Sequence, residues 1–351
     1  MDFQQFDNDG NKSRPLQIAV VSFDSLGDSL LYLLLAYNLQ KNNFDVTYFG
    51  NIGYQLSDWF PSLKILPYPA FGAMDEVLAG YQLVIMSPPR SVRNRLEADP
   101  EYLKYLREKY LLICQKTPVS WVYDHTERLK SLLSPDLFES VKALAKSSGP
   151  IRFRRFKDES AVDILCAYMR EKMQLSVVSR HVAYTPLQQL KFRYYDKRII
   201  VSPDSAGPED KNWGKQQFLS LCRQLKNIGY QPVIIVSPAN HSEWKMLSQG
   251  EFDTPLFENI SHLASYIYES ALLVANDSGN GHLASFLGIP VVTIYKKRNP
   301  KFHWRPDWAA GKVVCPRLVI TFFRYRVWRP FVSTGMVLSA ISELLIANNQ
   351  S

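Results

Sequence analysis

The feature that most narrows what this chain can fold into is a repeated change of hydrophobic period, sharpest between residues 272 and 295. Leu272 to Ala275 is a strand-length apolar run, Asn276-Asp277-Ser278 is a small polar turn, and Gly279 to Leu287 reads as a short helix halted by Gly288. Pro290 to Tyr295 is strand-like again. Strands alternating with crossover helices pack as parallel sheets. The amino-terminal half repeats the pattern. Its strand candidates are Gln17 to Phe23, Phe44 to Phe49, Lys64 to Leu66, Gln82 to Met86 and Val119 to Tyr123. Asp24 to Asp28 reads as a turn before a helix over Ser29 to Lys41, and residues 125–175 are mainly helical in character. A second block has strands at Arg198 to Ser202 and Pro232 to Val236, with helices at Lys215 to Asn227 and Ser261 to Glu269.

This predicts an α/β protein of two Rossmann-like lobes with parallel sheets facing a cleft. Its 351 residues suit two domains at about 150 residues each. The expected divisions are a disordered tail over 1–15, a first lobe over 16–190, a second over 196–331 and a closing helix over 332–351. Ligands in such folds sit beyond the carboxyl ends of strands.

Four cysteines (Cys114, Cys166, Cys222 and Cys315) are scattered without a CxxC pair, which argues against a zinc knuckle or a disulfide framework. A reducing cytosol is the simpler expectation. The first fifteen residues carry no apolar core of a secretory signal, and the run Leu30 to Ala36 is too short to span a bilayer. A soluble or peripheral protein is therefore expected. The formal net charge of +8 suits anionic partners without choosing among them. Asp7-Asn8-Asp9 fits a short metal-binding DxD pattern, but it sits in a polar leader that lacks a rigid frame. No metal is assigned to it.

Three segments carry chemistry. In the first, the turn Asn276 to Gly279 leads into a helix whose free N–H groups can bind phosphate. Gly279 and Gly281 would let backbone approach a ligand, Ser278 offers a hydroxyl, and His282 lies in the first helical turn. The plain alternative is a βα turn capped by Asp277 or Ser278. Gly279 to Ala284 also fits the dinucleotide fingerprint G-x-G-x-x-A, but the next strand ends in Lys296-Lys297-Arg298 instead of meeting an acidic residue. The second segment, Ser22 to Asp28, ends a strand and places Asp28 at a helix start. There it could take a proton from a hydroxyl nucleophile or simply cap the helix. The third is the loop Ser202 to Trp213, in which Lys211 could neutralise a diphosphate or be an ordinary surface lysine.

Together these segments resemble the heptosyltransferases of bacterial lipopolysaccharide assembly, glycosyltransferase family nine. Ser25-Leu26-Gly27-Asp28 stands at the last four positions of the family's S-x-x-G-D, whose first position is Asp24 here, Lys211-Asn212-Trp213 at its K-x-W, and Asp277-Ser278-Gly279-Asn280-Gly281-His282 at its D-[ST]-G-x-x-H. The run from Ala284 to Pro290 follows the last as A-x-x-x-G-x-P. The resemblance covers essentially the whole chain after residue 15. It implies the GT-B arrangement, a nucleotide-diphosphate-sugar donor (ADP-heptose above others) in the second lobe and a glycolipid or glycan acceptor on the first. It implies inverting transfer without an essential metal or other cofactor, and a closing helix that can cross back to the first lobe. By the same resemblance Asp28 is the base, assisted on the acceptor side by the Ser25 and Gly27 loop. Lys211 binds phosphate, and Ser205, Asp277, Ser278, Gly279 and His282 hold the donor. Asn212 replaces the usual arginine of K-R-W, Ala206-Gly207-Pro208 lacks hydroxyls, and Lys296 to Arg298 replaces a short apolar turn. These departures leave open another nucleotide sugar and acceptor.

Residues 296–330 hold ten lysines and arginines against Asp307 alone, interleaved with aromatics such as Trp304, Trp308 and Trp328. The pattern suits an anionic lipid surface, a single-stranded nucleic acid, or a basic face whose aromatics are core. A membrane-held acceptor favours lipid and no nucleic acid. The expected location is cytoplasmic, peripheral on the inner face of the inner membrane. A nicotinamide-dependent oxidoreductase and a non-catalytic scaffold of the same fold are the remaining alternatives.

Overall fold

The computed structural model describes residues 15–349 except 23–24, 89–91, 93, 95–97, 115–117, 152–158, 206, 208–210, 297–304 and 323–324. Asp7 and Asp9, Phe23 and Asp24, Ala206, Pro208 to Asp210, Lys297 to Trp304, Phe323 and Arg324 therefore lie outside the described residues.

Among the described residues the first lobe is a six-stranded parallel sheet, ordered β3-β2-β1-β4-β5-β6. Its strands are β1 (Gln17–Val21), β2 (Asp45–Phe49), β3 (Lys64–Leu66), β4 (Leu83–Met86), β5 (Leu111–Cys114) and β6 (Gly149–Pro150). The second lobe is a five-stranded parallel sheet, ordered β11-β10-β9-β7-β8. It contains β7 (Tyr195–Ser202), β8 (Gln231–Ile234), β9 (Ser270–Asn276), β10 (Val291–Ile294) and β11 (Gly311–Val314). Continuous apolar runs make these strands buried on both faces: every residue of β9 and β10 is buried. Both sheets are doubly wound. The strand order reverses between β1 and β4 in the first, and between β7 and β9 in the second. Those switch points are where such sheets bind ligands.

Two helices matter most for the site. Helix α1 (Leu26–Lys41) follows β1 and is buried almost all round. That explains its unbroken run of leucines, since a helix with no polar face must be enclosed. Helix α2 (Gly279–Phe286) follows β9 and is likewise enclosed. One hydrophobic cluster runs from Leu30, Leu33 and Trp59 of the first lobe to Leu263, Ile267, Leu283 and Phe286 of the second. The lobes therefore share a dry contact. Phe60 packs edge-on to Phe286 with ring centroids 5.8 Å apart. Trp59 donates its indole N–H to Ser261 Oγ at 3.1 Å. At the margin Arg180 spans the lobes, 2.8 Å from Asp163 and 2.6 Å from Asp307.

Three expectations are corrected. Val119 to Tyr123 is not a strand. Val119–Trp121 is a single 3-10 turn after Pro118, while Leu111–Cys114 is the strand that pairs with β4. One strand fits between β4 and β6, and the continuous run Leu111 to Ile113 buries completely. Helix α1 begins at Leu26, not Ser29, so Asp28 lies within its first turn. The closing helix α3 (Thr334–Asn349) joins the second lobe instead of returning to the first. Its Val337, Ile341 and Leu344 pack into that lobe's core beside Leu221 and Leu225. Its apolar side finds a ready surface there.

Candidate active site at two opposed helix starts

The three motifs, scattered over more than 250 residues of sequence, converge at the carboxyl ends of β1, β7 and β9. The convergence depends on two glycines. A Cβ at Gly279 would stand 2.9 Å from Leu26 Cβ, and one at Gly27 would stand 3.1 Å from His282 Cδ2. Both distances are below ordinary carbon contact of about 3.5–4.0 Å. The first turns of α1 and α2 thus touch through glycine, and Asp28 lies in one of the two turns.

Ser278 is the N-cap of α2. It has extended backbone (φ −141°, ψ 159°), and its hydroxyl accepts from Gly281 N–H at 3.5 Å. For α1 the N-cap is Ser25, whose side chain makes no capping bond. Asp28 therefore is not the cap, although as an acidic residue in a first turn it still complements the helix dipole.

Lys211 Nζ lies 2.8 Å from Asp277 Oδ2. The pair brings the K-x-W loop onto the D-S-G turn. Lys211 remains 43% exposed, so the pair itself stabilises the fold by no more than about 1 kcal/mol. Its importance is placement: an ammonium is held at the start of a helix.

His282 is buried against Gly27. Burial pushes its pKa down to about 4; the neighbouring Asp277 carboxylate opposes the shift and Lys211 adds to it. The imidazole is neutral at pH 7, so it can share a hydrogen bond but brings no charge to the site. Tyr295 beyond β10 is also buried. Its phenol is held well above the usual range by that burial and by Asp277, with Arg305 opposing.

Ser205 donates to Asn212 Oδ1 and accepts from Gly207 N–H at 3.4 Å, so it organises its own loop. Trp213, the last residue of K-x-W, is a core residue: it is buried, and its indole donates to Val332 O at 3.1 Å.

Several contributors were missed in the sequence. Asn276 is fully buried, accepts Trp213 N–H at 3.0 Å and donates to Pro203 O. It ties both ends of the β7 loop to β9. The signal was an amide at the end of an otherwise apolar strand, since a buried amide must be paired. Asn280 donates to Ser202 Oγ at 3.0 Å, and Arg329 Nε donates to Asn212 O at 2.7 Å. Nothing local marked Arg329 for that role.

Gly279 and Gly281, expected to let backbone approach a ligand, also have close packing neighbours. Leu26 fills the space at Gly279, and Ala275, Pro306 and Val291 surround Gly281 at 3.7–3.8 Å. Only Gly279 is required by its neighbours; a methyl at Gly281 would meet ordinary van der Waals contacts. Of the basic–aromatic stretch, Trp308 and Trp328 are buried. Trp308 packs on Phe286 with centroids 5.2 Å apart. Among the described residues no group of three His, Cys, Asp or Glu gathers that could hold a metal ion.

Two doubly wound lobes, with a helix start from each meeting at the switch points, define the GT-B arrangement. Residues 143–315 match the family described as glycosyltransferase family 9 (heptosyltransferase). Similar solved structures include the ADP-heptose lipopolysaccharide heptosyltransferase II of E. coli, at 18% identity and TM-score 0.55 over 95% of this chain and all (100%) of that one. A family 9 glycosyltransferase of Veillonella parvula gives 18% and 0.58 over 95% and 97%. The E. coli heptosyltransferase WaaC with ADP-2-deoxy-2-fluoro heptose gives 15% and 0.58 over 93% and 99%. Comparison with curated proteins finds no match.

Proposed function

We propose that this glycosyltransferase moves a heptose or closely similar sugar from ADP-heptose to a lipopolysaccharide or lipooligosaccharide core acceptor, with inversion and without an essential metal. The observation that carries the reading is the contact between the Asp28-bearing turn of the first lobe and the Lys211–Asp277–Ser278 cluster of the second. The donor belongs to the second lobe and the acceptor to the first. The family supports a nucleotide-sugar donor, and the WaaC relative is known with a fluorinated ADP-heptose.

The roles follow from charge. The acceptor hydroxyl attacks the anomeric carbon while Asp28 takes its proton. The carbon–oxygen bond to the diphosphate breaks, and its electron pair leaves with the nucleotide. Lys211 and the first-turn N–H groups of α2 meet the negative charge that develops on the diphosphate. That arrangement can replace a cation. Ser205, Asp277, Ser278, Gly279 and His282 hold the donor loop in register, and Ser25 and Gly27 shape the acceptor side. A glycolipid acceptor would place the protein peripherally at the cytoplasmic face of the inner membrane. Among the described residues no helix is long and apolar enough to cross a membrane.

The test is Asp28→Asn. Turnover should fall about 10²–10⁴-fold, the contribution of a general base, while donor binding by calorimetry stays near wild type. Full turnover would remove Asp28 from its role. Tight binding of UDP- or GDP-sugars with none of ADP-heptose would replace the donor.

A further inference from the structure

Strand β12 (Ile320–Phe322) pairs antiparallel with β13 (Tyr325–Val327), apart from both large sheets. Ile320 stands directly opposite Val327, and Thr321 opposite Arg326. Residues directly opposite share a face, and successive residues alternate faces. Val319 and Trp328 fall on the Thr321–Arg326 side. Trp328 is buried in the second core and Val319 packs against it. Ile320 and Val327 fall on the other side and are exposed by 48% and 45%; Leu318, two residues before Ile320, is exposed by 54%. Thr321 and Arg326 are exposed too, so the hairpin projects from its Trp328 anchor with a polar face and an aliphatic face both open to solvent. A lone two-stranded hairpin is marginal in water, and this one offers aliphatic side chains to solvent.

The charge around it is one-sided. Between Asp307 and Glu343 the chain has no acidic residue, but it has Lys312, Arg317, Arg324, Arg326 and Arg329. Lys312 pairs with Glu343 at 2.8 Å. Arg317, next to Leu318 in the chain, is exposed, and Arg326 is exposed on the hairpin's other face. The hairpin follows β11 at the carboxyl edge of the second sheet, and just after it Arg329 holds Asn212, the neighbour of Lys211. It therefore stands beside the candidate site.

We propose that this hairpin seats in the interface of an anionic phospholipid bilayer. Leu318, Ile320 and Val327 enter the boundary between headgroups and acyl chains, while Arg317 and Arg326 meet lipid phosphates. The charge selects this occupant. A second copy of the chain would bring arginines against arginines across a two-fold axis, whereas an anionic bilayer matches both the cations and the apolar tips. Its purpose rests on the proposed glycolipid acceptor, because it would hold the site over the membrane that carries that acceptor.

The experiment is co-sedimentation of the full chain with phosphatidylglycerol-containing vesicles and with pure phosphatidylcholine vesicles. Wild type should partition to the first and not the second. Leu318→Ser, Ile320→Ser and Val327→Ser together should weaken partition about tenfold or more. Arg317→Ser and Arg326→Ser should each weaken it about fivefold. These positions are exposed, and unchanged melting will show that the variants fold. Asp28→Asn should bind vesicles as wild type does, so failure of the transfer chemistry leaves this readout intact. Absence of wild-type binding to anionic vesicles, or a triple serine variant that binds equally well, overturns the proposal. So does a dimer in light scattering that the triple variant converts to monomer, since the face would then be a self-interface.

Discussion

Replacing Gly279 by alanine tests whether the two helix starts really meet. The added Cβ would lie 2.9 Å from Leu26 Cβ, 3.2 Å from Leu26 Cδ2 and 3.3 Å from Leu26 Cγ. A Cβ cannot rotate away, so the helices must part by about 0.6–1 Å to restore ordinary contact. Overpacking of this kind costs about 1–3 kcal/mol. The loss of backbone freedom in the unfolded chain returns about 0.4–1 kcal/mol. The net expectation is a destabilisation of about 1–2 kcal/mol. At about 1.4 °C per kcal/mol for a chain of this length, Tm should drop by about 1–3 °C. Gly335→Ala is the control. It also lies in the first turn of a helix, but its nearest atom is Ser333 Oγ at 3.8 Å, so it should gain about 0.4–1 kcal/mol. Adding Leu26→Gly to Gly279→Ala should show a favourable coupling in a double-mutant cycle, because it removes the atom in the way. Turnover should fall more than stability does, since displacing catalytic groups by about 1 Å can cost up to about 10²-fold. If Gly279→Ala is as benign as Gly335→Ala in both melting and turnover, the two motifs do not abut and the site described above is wrong.

Asn276→Ala should destabilise by about 2–4 kcal/mol in urea titration, because it orphans Trp213 N–H and Pro203 O in the interior; donor KM should rise with it. Lys211→Ala should cost little stability, yet it should lower kcat and kcat/KM together, the sign of an interaction made in the transition state. Stability should also depend on pH through His125 and His282, both buried with pKa pushed down from 6.5 to about 4. A depressed histidine favours the fold fully above the unfolded pKa, and that stability is lost as pH falls from about 6.5 through about 4. Each should remove up to about 3 kcal/mol on that descent. His125→Leu should flatten roughly half of the acid arm in urea titrations at stepped pH, and an unchanged arm would remove His125 as a source.

Much of the architecture was legible because it is written in short-range patterns. The run Leu272 to Ala275, the polar turn after it and the glycine-bounded helix all describe local backbone states, and the structure has β9, Ser278 as N-cap and α2 in that order. The same holds for β1, β2, β3 and β4. The misreading at Val119 shows the limit. Leu111–Cys114 and Val119–Tyr123 are both β-prone, and the choice between them is made by the edge of β4, more than 20 residues away. Arg329 resembled the other arginines of its stretch until the fold placed it on Asn212.

By itself the sequence determined the alternation of strands and helices, the turns that carry polar groups, and the motifs by which the chain resembles glycosyltransferase family nine. These depend on neighbours within a few residues, whose propensities and hydrophobic period are read directly. Only the tertiary structure decided that Gly27 and Gly279 make room for each other's helices. Only it showed that His282 is neutral because it is buried there, that Asn276 staples both ends of the loop after β7, and that the β12–β13 hairpin turns its aliphatic side outward. Those properties belong to pairs of surfaces brought together from distant parts of the chain, and burial, which sets their energies, does not exist until the surfaces meet.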